Sequence, residues 1–295
     1  MERNTPRLPF GLTPVLLAFF VVCAALATAV PQAHAQLAPA PTGDFSLVLT
    51  AKLTDEAEPI ADGMVWRVFG DVETEEGTLP LLAEAEGGPT SIALPPGTYL
   101  VHAGFGRAGA TKRVELGRDG QNEEFVLNAG GLKLNATSMG NRILEKDLRF
   151  SIYELQQNED GERKLVALNV KPQRVVRLNA GTYHVLSRFG TINSTVRADL
   201  QVKPGQITSA QLQHRGAEVS MRLVSRSGGD PIANTSWEVF TQDGEKVFSS
   251  SSIAPTLILA EGVYEAAARN GTRTFRNTFT VTPGQNIRVE VRRES

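Results

Sequence analysis

Beyond residue 35 three histidines, His102, His184 and His214, are the side chains best able to carry a proton or ligate a metal near neutral pH, and no two of them stand two or four residues apart. A histidine metal site needs ligands clustered in that way, so none is expected. Asp55-Glu56-Ala57-Glu58, Glu73-Thr74-Glu75-Glu76 and Asn158-Glu159-Asp160 offer the oxygen ligands that calcium takes. No EF-hand or calcium nonapeptide pattern frames them, and they read as solvated loops. The run Ser249-Ser250-Ser251-Ser252 has neither a Gly-x-Ser-x-Gly elbow nor a Ser-x-x-Lys motif to activate a hydroxyl. Gly104-Phe105-Gly106-Arg107-Ala108-Gly109 lies between two strand patterns, with no helix to receive a phosphate. The expectation is a protein that is not an enzyme and takes no cofactor.

Aromatic rings offer a different chemistry, since an exposed ring face can stack on a sugar while a buried one anchors a core. Trp66 and Trp237 stand at equivalent points of a repeated pattern and read as core. Phe105 and Phe189 each lie six residues beyond a tyrosine, near a strand end in Gly-Phe-Gly and Arg-Phe-Gly settings. These two are the candidate surface-binding residues, with satellite packing as the competing reading.

The pattern that positions them is written three times. Leu94-Pro95-Pro96-Gly97-Thr98-Tyr99, Leu178-Asn179-Ala180-Gly181-Thr182-Tyr183 and Leu259-Ala260-Glu261-Gly262-Val263-Tyr264 place their glycines 84 and 81 residues apart. The aromatic strands that precede them, centred on Trp66, Phe150 and Trp237, recur at 84 and 87. Two landmarks sharing one period mean three copies of one small domain. The expected modules are 44–128, 129–215 and 216–295. Their joints, Asn128-Ala129-Gly130-Gly131 and His214-Arg215-Gly216, are too short for flexible tethers, which favours a stiff rod. Proteolysis is expected near Gly130 and Gly216.

Period-two alternation runs through each copy, as in Phe45-Ser46-Leu47-Val48-Leu49, and no segment sustains a helical stripe. The repeated glycine suits a turn with positive φ. The tyrosine after it is placed to bury its ring while its hydroxyl bonds to backbone at the corner. Pro204-Gly205 and Pro283-Gly284 mark a final turn, read as closing each module with a hairpin. About seven strands per module predict an all-β chain of three tandem Ig-like or transthyretin-like Greek-key β-sandwiches. Pro59-Ile60-Ala61-Asp62 and Pro231-Ile232-Ala233-Asn234, the aromatic strand and the Leu-x-x-Gly-Thr/Val-Tyr phrase together resemble bacterial carboxypeptidase-regulatory-like modules of the transthyretin-like (prealbumin-like) type. The resemblance implies a sandwich fold and, because such modules recur in tandem in some bacterial cell-envelope proteins, an envelope setting. It brings no catalytic residues, and the Thr-Asp-x-x-Gly turn often found in such modules is absent.

Residues 1–35 read as an export signal: Arg3 and Arg7, an apolar run from Val15 to Val30, then Ala33-His34-Ala35 as a cleavage site. Residues 36–43 read as a short Pro-rich linker. The lone cysteine, Cys23, falls inside the signal, so the mature chain holds no thiol or disulfide. A lipid anchor at Cys23 and a retained membrane anchor are the alternatives to cleavage. Asn-x-Ser/Thr triplets at Asn135, Asn193, Asn234 and Asn270 would be glycan acceptors in a eukaryotic secretory chain; the Ala-rich, Arg-poor signal and the absence of cysteine after it suggest a Gram-negative bacterium, where they read as polar turns.

Charge is segregated between the modules: 6 basic and 15 acidic residues in the first, 13 and 7 in the second, 9 and 9 in the third. Opposite fields on neighbouring modules lead either to bending or to pairing between chains, with drift on solvated faces as the competing reading. The expected function is an exported structural or protein-binding rod of the bacterial periplasm or envelope. Its partner would be another envelope protein, with no nucleic acid and a membrane only if the signal is retained. A carbohydrate- or peptidoglycan-binding protein is the alternative.

Overall fold

A computed structural model describes residues 45–293; the expected signal peptide over 1–35 and linker over 36–43 lie outside the described residues. No helix among the described residues is long and apolar enough to cross a membrane. The first module consists of β1 (Ser46–Lys52), β2 (Met64–Gly70), β3 (Leu81–Gly87), β4 (Thr90–Ala93), β5 (Gly97–Phe105), β6 (Ala108–Leu116) and β7 (Gln121–Val126). The second contains β8 (Ala129–Ser138), the two-residue β9 (Asn141–Arg142), a 3-10 turn, β10 (Leu148–Gln157), β11 (Arg163–Val170), β12 (Val175–Asn179), β13 (Gly181–Phe189), β14 (Ser194–Val202) and β15 (Ile207–His214). The third comprises β16 (Gly216–Val224), β17 (Thr235–Thr241), β18 (Lys246–Ser250), β19 (Thr256–Ala260), β20 (Gly262–Asn270), β21 (Arg273–Val281) and β22 (Ile287–Arg292).

One topology recurs in all three. A four-stranded sheet, β3-β2-β5-β6 in the first module, faces a three-stranded sheet, β4-β1-β7. The counterparts are β11-β10-β13-β14 with β12-β8-β15, where the short β9 adds a fourth strand against β8, and β18-β17-β20-β21 with β19-β16-β22. First and last strands pair in parallel in each copy, as Leu47 with Gln121 and Val219 with Ile287. Alternation places every second side chain inward: Leu47, Leu49 and Ala51 on β1, Met64, Trp66 and Val68 on β2. Three hydrophobic cores result, built around Trp66, Phe150 and Trp237, all fully buried. Each fully buried Leu, Val or Phe contributes about 2 kcal/mol, so such a core can hold a module of this size without cross-links.

The expected hairpin at the end of each module is not one. Pro204-Gly205 turns the chain from β14 in one sheet to β15 in the facing sheet, and Pro283-Gly284 does the same between β21 and β22. A Pro-Gly turn reverses the chain but does not choose the sheet; here the parallel pairing of β15 with β8 does. The tyrosine corner forms in all three copies. Tyr99 donates to the Pro95 carbonyl at 2.6 Å, Tyr183 to that of Asn179 at 2.9 Å and Tyr264 to that of Ala260 at 3.1 Å. Gly181 and Gly262 take positive φ (158° and 149°), whereas Gly97 does not.

Candidate interaction site at the module joints

The side chains singled out for chemistry are scattered. His102 Nδ1 lies 2.9 Å from Thr111 Oγ1, and burial, aided by the Arg67 charge, lowers its pKa. His184 Nδ1 lies 2.7 Å from Asp199. Among the described residues no group of three or more His, Cys, Asp or Glu side chains is placed to hold a metal ion. The dense polar constructions lie instead at the two joints.

Phe105 and Phe189 are both found there, and both are buried, at 7% and 9% exposure. This corrects the expectation that they form surface stacking platforms. Each ends the strand that follows the tyrosine corner, β5 or β13, and the hairpin tip beyond it docks on the next module. At the first joint the Arg177 guanidinium sits 4.3 Å from the centre of the Phe105 ring, and Arg107 N–H donates to the Arg177 carbonyl at 3.1 Å. Asn179 completes the contact. Its amide donates to the carbonyls of Leu127 (2.8 Å) and Gly109 (3.1 Å), and its oxygen accepts from Gly109 N–H (3.2 Å). The main chain also crosses here, with Ala180 N–H donating to the Asn128 carbonyl at 2.6 Å.

The second joint solves the same problem with different residues. Phe189 meets the His214 ring edge to face at 5.8 Å, and Ile258 of the third module joins the second module's core. Gly190, at φ 76°, is the point of closest approach: a Cβ there would stand 2.7 Å from Ile258 Cβ. Asn193 donates to the Tyr264 hydroxyl at 2.8 Å and accepts from Ala260 N–H at 2.9 Å. Ser138 donates to the Gly216 carbonyl at 2.6 Å, and Asn141 to that of Gly284 at 2.9 Å. Arg215 and Glu261 form a two-pronged pair at 2.5 and 2.7 Å, which raises the arginine pKa and lowers the glutamate's. The corresponding ring position in the third module is Asn270, which bonds to its own module at Ala233 and Asn234.

His214 is the one fully buried ionisable ring of this joint. Ser187 Oγ lies 2.8 Å from its Nε2 and Ser194 Oγ 3.3 Å from its Nδ1, and burial pushes its pKa down to about 4. Two hydroxyls can satisfy a neutral imidazole, one as donor and one as acceptor, and none of these contacts supplies a counter-charge. The joints also correct the proteolysis expectation. Gly130 and Gly216 are buried, and a Cβ at Gly130 would run into the Lys203 carbonyl. Loops such as Glu73–Gly77 and Asn158–Gly161 are exposed instead.

Asn179 and Ser138 were not legible as functional, and Asn193 was legible only as a polar turn. The one available signal for Asn179 is that Pro95 and Ala260 hold its place in the other copies.

Residues 218–293, within the third module, match the Rhizobiales growth-associated tandem repeat domain. No curated protein sequence matches the chain. Among solved structures, the Bacillus anthracis TIE protein is 18% identical with a TM-score of 0.25, covering 84% of this chain, which spans 50% of that one. GBS52, the minor pilin of Streptococcus agalactiae, is 11% identical over 57% of this chain and 94% of its own, at TM-score 0.31. A streptococcal ancillary pilin is 13% identical over 84% and 98%, at TM-score 0.28. The sheet pairings and the three separate cores are themselves those of tandem β-sandwich modules.

Proposed function

We propose that this chain is a non-enzymatic structural or protein-binding array, exported to the bacterial periplasm or envelope, in which β-sandwich modules are held in fixed succession. The observation that carries the reading is the pair of joints. Each combines a buried phenylalanine with a side-chain amide bonded across the boundary. A chain whose modules only needed to be tethered gains nothing from that construction, because a few Gly or Ser residues would connect them at lower cost in specificity. The family matched by the third module supports the array reading, since its description is of a tandem repeat domain. The finer resemblance to carboxypeptidase-regulatory-like modules belongs to the same reading and rests on the turn and core residues that the copies share. The glycan-binding alternative loses its two named rings to the joints.

Small-angle scattering of the exported chain, with cell fractionation alongside, tests the proposal. One fixed arrangement of modules should account for the scattering, and the protein should fractionate with the envelope. Scattering that requires freely reorienting modules, or a cytosolic protein, would overturn it.

A further inference from the structure

The outer face of the four-stranded sheet in the second module carries three arginines with no acidic partner among the described residues. Arg149 on β10 lies directly opposite Arg188 on β13, and Arg197 on β14 lies opposite Leu186, two residues along β13 from Arg188. The ion pairs of this module engage Lys164, Lys171, His184 and Arg215, and none of these three. Arg149 turns one nitrogen to the carbonyls of Glu145 and Leu148, which anchors the side chain without neutralising it. Like charges set directly opposite across a sheet are destabilising unless something else offsets them.

The third module carries fewer unneutralised charges on the same face. Arg276, opposite Ala267, takes the place of Arg197, and Arg269, two residues along β20 from Ala267, takes that of Arg188. There Glu265, one residue past the corner tyrosine, pairs with Arg276, and Glu238, one residue past the core tryptophan, pairs with Lys246 at 3.1 Å. At those two positions the second module has His184 and Ser151. Arg197 therefore lacks the acid that its counterpart Arg276 has, while Arg188 gains from Arg149 opposite a second positive charge where Arg269 has the Ser236 hydroxyl.

We infer that this arginine face binds the acidic first module of a second copy of the chain. Charge complementarity selects that occupant: the first module has 15 acidic and 6 basic residues against 7 and 13 in the second. The first module also has a surface that suits it. Its edge strand β3 exposes Leu81 and Leu82 beside Glu84 and Glu86, and the adjoining loop exposes Glu73, Glu75 and Glu76. Glu84 shares Arg67, at 3.0 Å, but the other four acids form no ion pair among the described residues. Around the arginines, Leu165 and Leu168 on β11 are exposed in turn. Two copies that set module one of each against module two of the other satisfy both charge excesses together.

The inference rests on the protein-binding reading above, whereas a strictly monomeric chain would leave the fixed joints intact. Sedimentation velocity of the exported chain at about 20 mM and about 500 mM salt tests it, because screening at the higher ionic strength suppresses such contacts. Dimerisation at low salt should weaken at least about tenfold at high salt. The R149S/R188S/R197S variant, with an unchanged circular dichroism spectrum and melting point, should remain monomeric, as should E84K/E86K. Mixing R188E/R197E with E84K/E86K should restore a heterodimer. A wild-type chain monomeric at both salts overturns the proposal. So does dimerisation that survives the triple substitution, or an arginine face that binds phosphatidylglycerol vesicles while the chain stays monomeric.

Discussion

At the scale of single residues, equivalent positions meet different surroundings, and the molecule supplies its own controls. Trp66 Nε1 donates to the Gly88 carbonyl at 2.9 Å, while Trp237 Nε1, equally buried, has no partner. Replacing Trp66 by Phe loses a hydrogen bond and orphans a carbonyl; replacing Trp237 by Phe removes an unpaired donor. Urea titration should find Trp66→Phe more destabilising than Trp237→Phe by about 1 to 2 kcal/mol. His214 gives a pH signature of definite sign. Its folded pKa of about 4 lies below the ordinary value of 6.5, so between those values the unfolded chain binds a proton that the folded chain refuses. Stability is complete above pH 6.5 and falls as pH drops toward 4, by up to ~3 kcal/mol at 1.4 kcal/mol per pH unit. His214→Asn should flatten that part of a stability-against-pH curve; an unchanged slope would show that the imidazole is not the group responsible.

At the scale of elements, the hairpin tips decide how modules meet. Gly190→Ala combines strain at φ 76° with a Cβ pressed 2.7 Å from Ile258, and Phe189→Ala empties the pocket beside His214. Phe189→Ala should cost about 3 kcal/mol by chemical denaturation, and calorimetry of Gly190→Ala should show the third module melting apart from the second. The strands themselves were legible because their determinants are local. The alternation of Leu47, Leu49 and Ala51 and the hydroxyl of Tyr99 reaching back four residues are both written within one element and its turn. Phe105 and Phe189 were not legible, because what covers them arrives about 70 residues later: Arg177 in one case, Ile258 in the other. The Pro-Gly turns misled for a similar reason. Local turn chemistry is shared by hairpins and by crossings between sheets, and only the long-range pairing of β15 with β8 tells them apart.

At the scale of the whole molecule, charge and joints carry different information. The segregated charge was visible from composition, but the face it serves emerged only once registers placed Arg149, Arg188 and Arg197 together. The joints make a mechanical claim: neighbouring modules should open only at a cost comparable to their own cores. Asn179→Ala, which deletes three cross-joint hydrogen bonds, should lower that cost by about 2 kcal/mol. Native-state hydrogen exchange measures it most directly, because specific amides bridge the boundaries: Arg107, Gly109 and Ala180 at the first, Ala260 at the second. If modules are held in fixed succession, these four exchange nearly as slowly as core amides such as Val68 and Val239, and those at the first joint speed up selectively in Asn179→Ala. Exchange of all four at the rate of the exposed Glu73–Gly77 loop would mean that the modules are merely strung together.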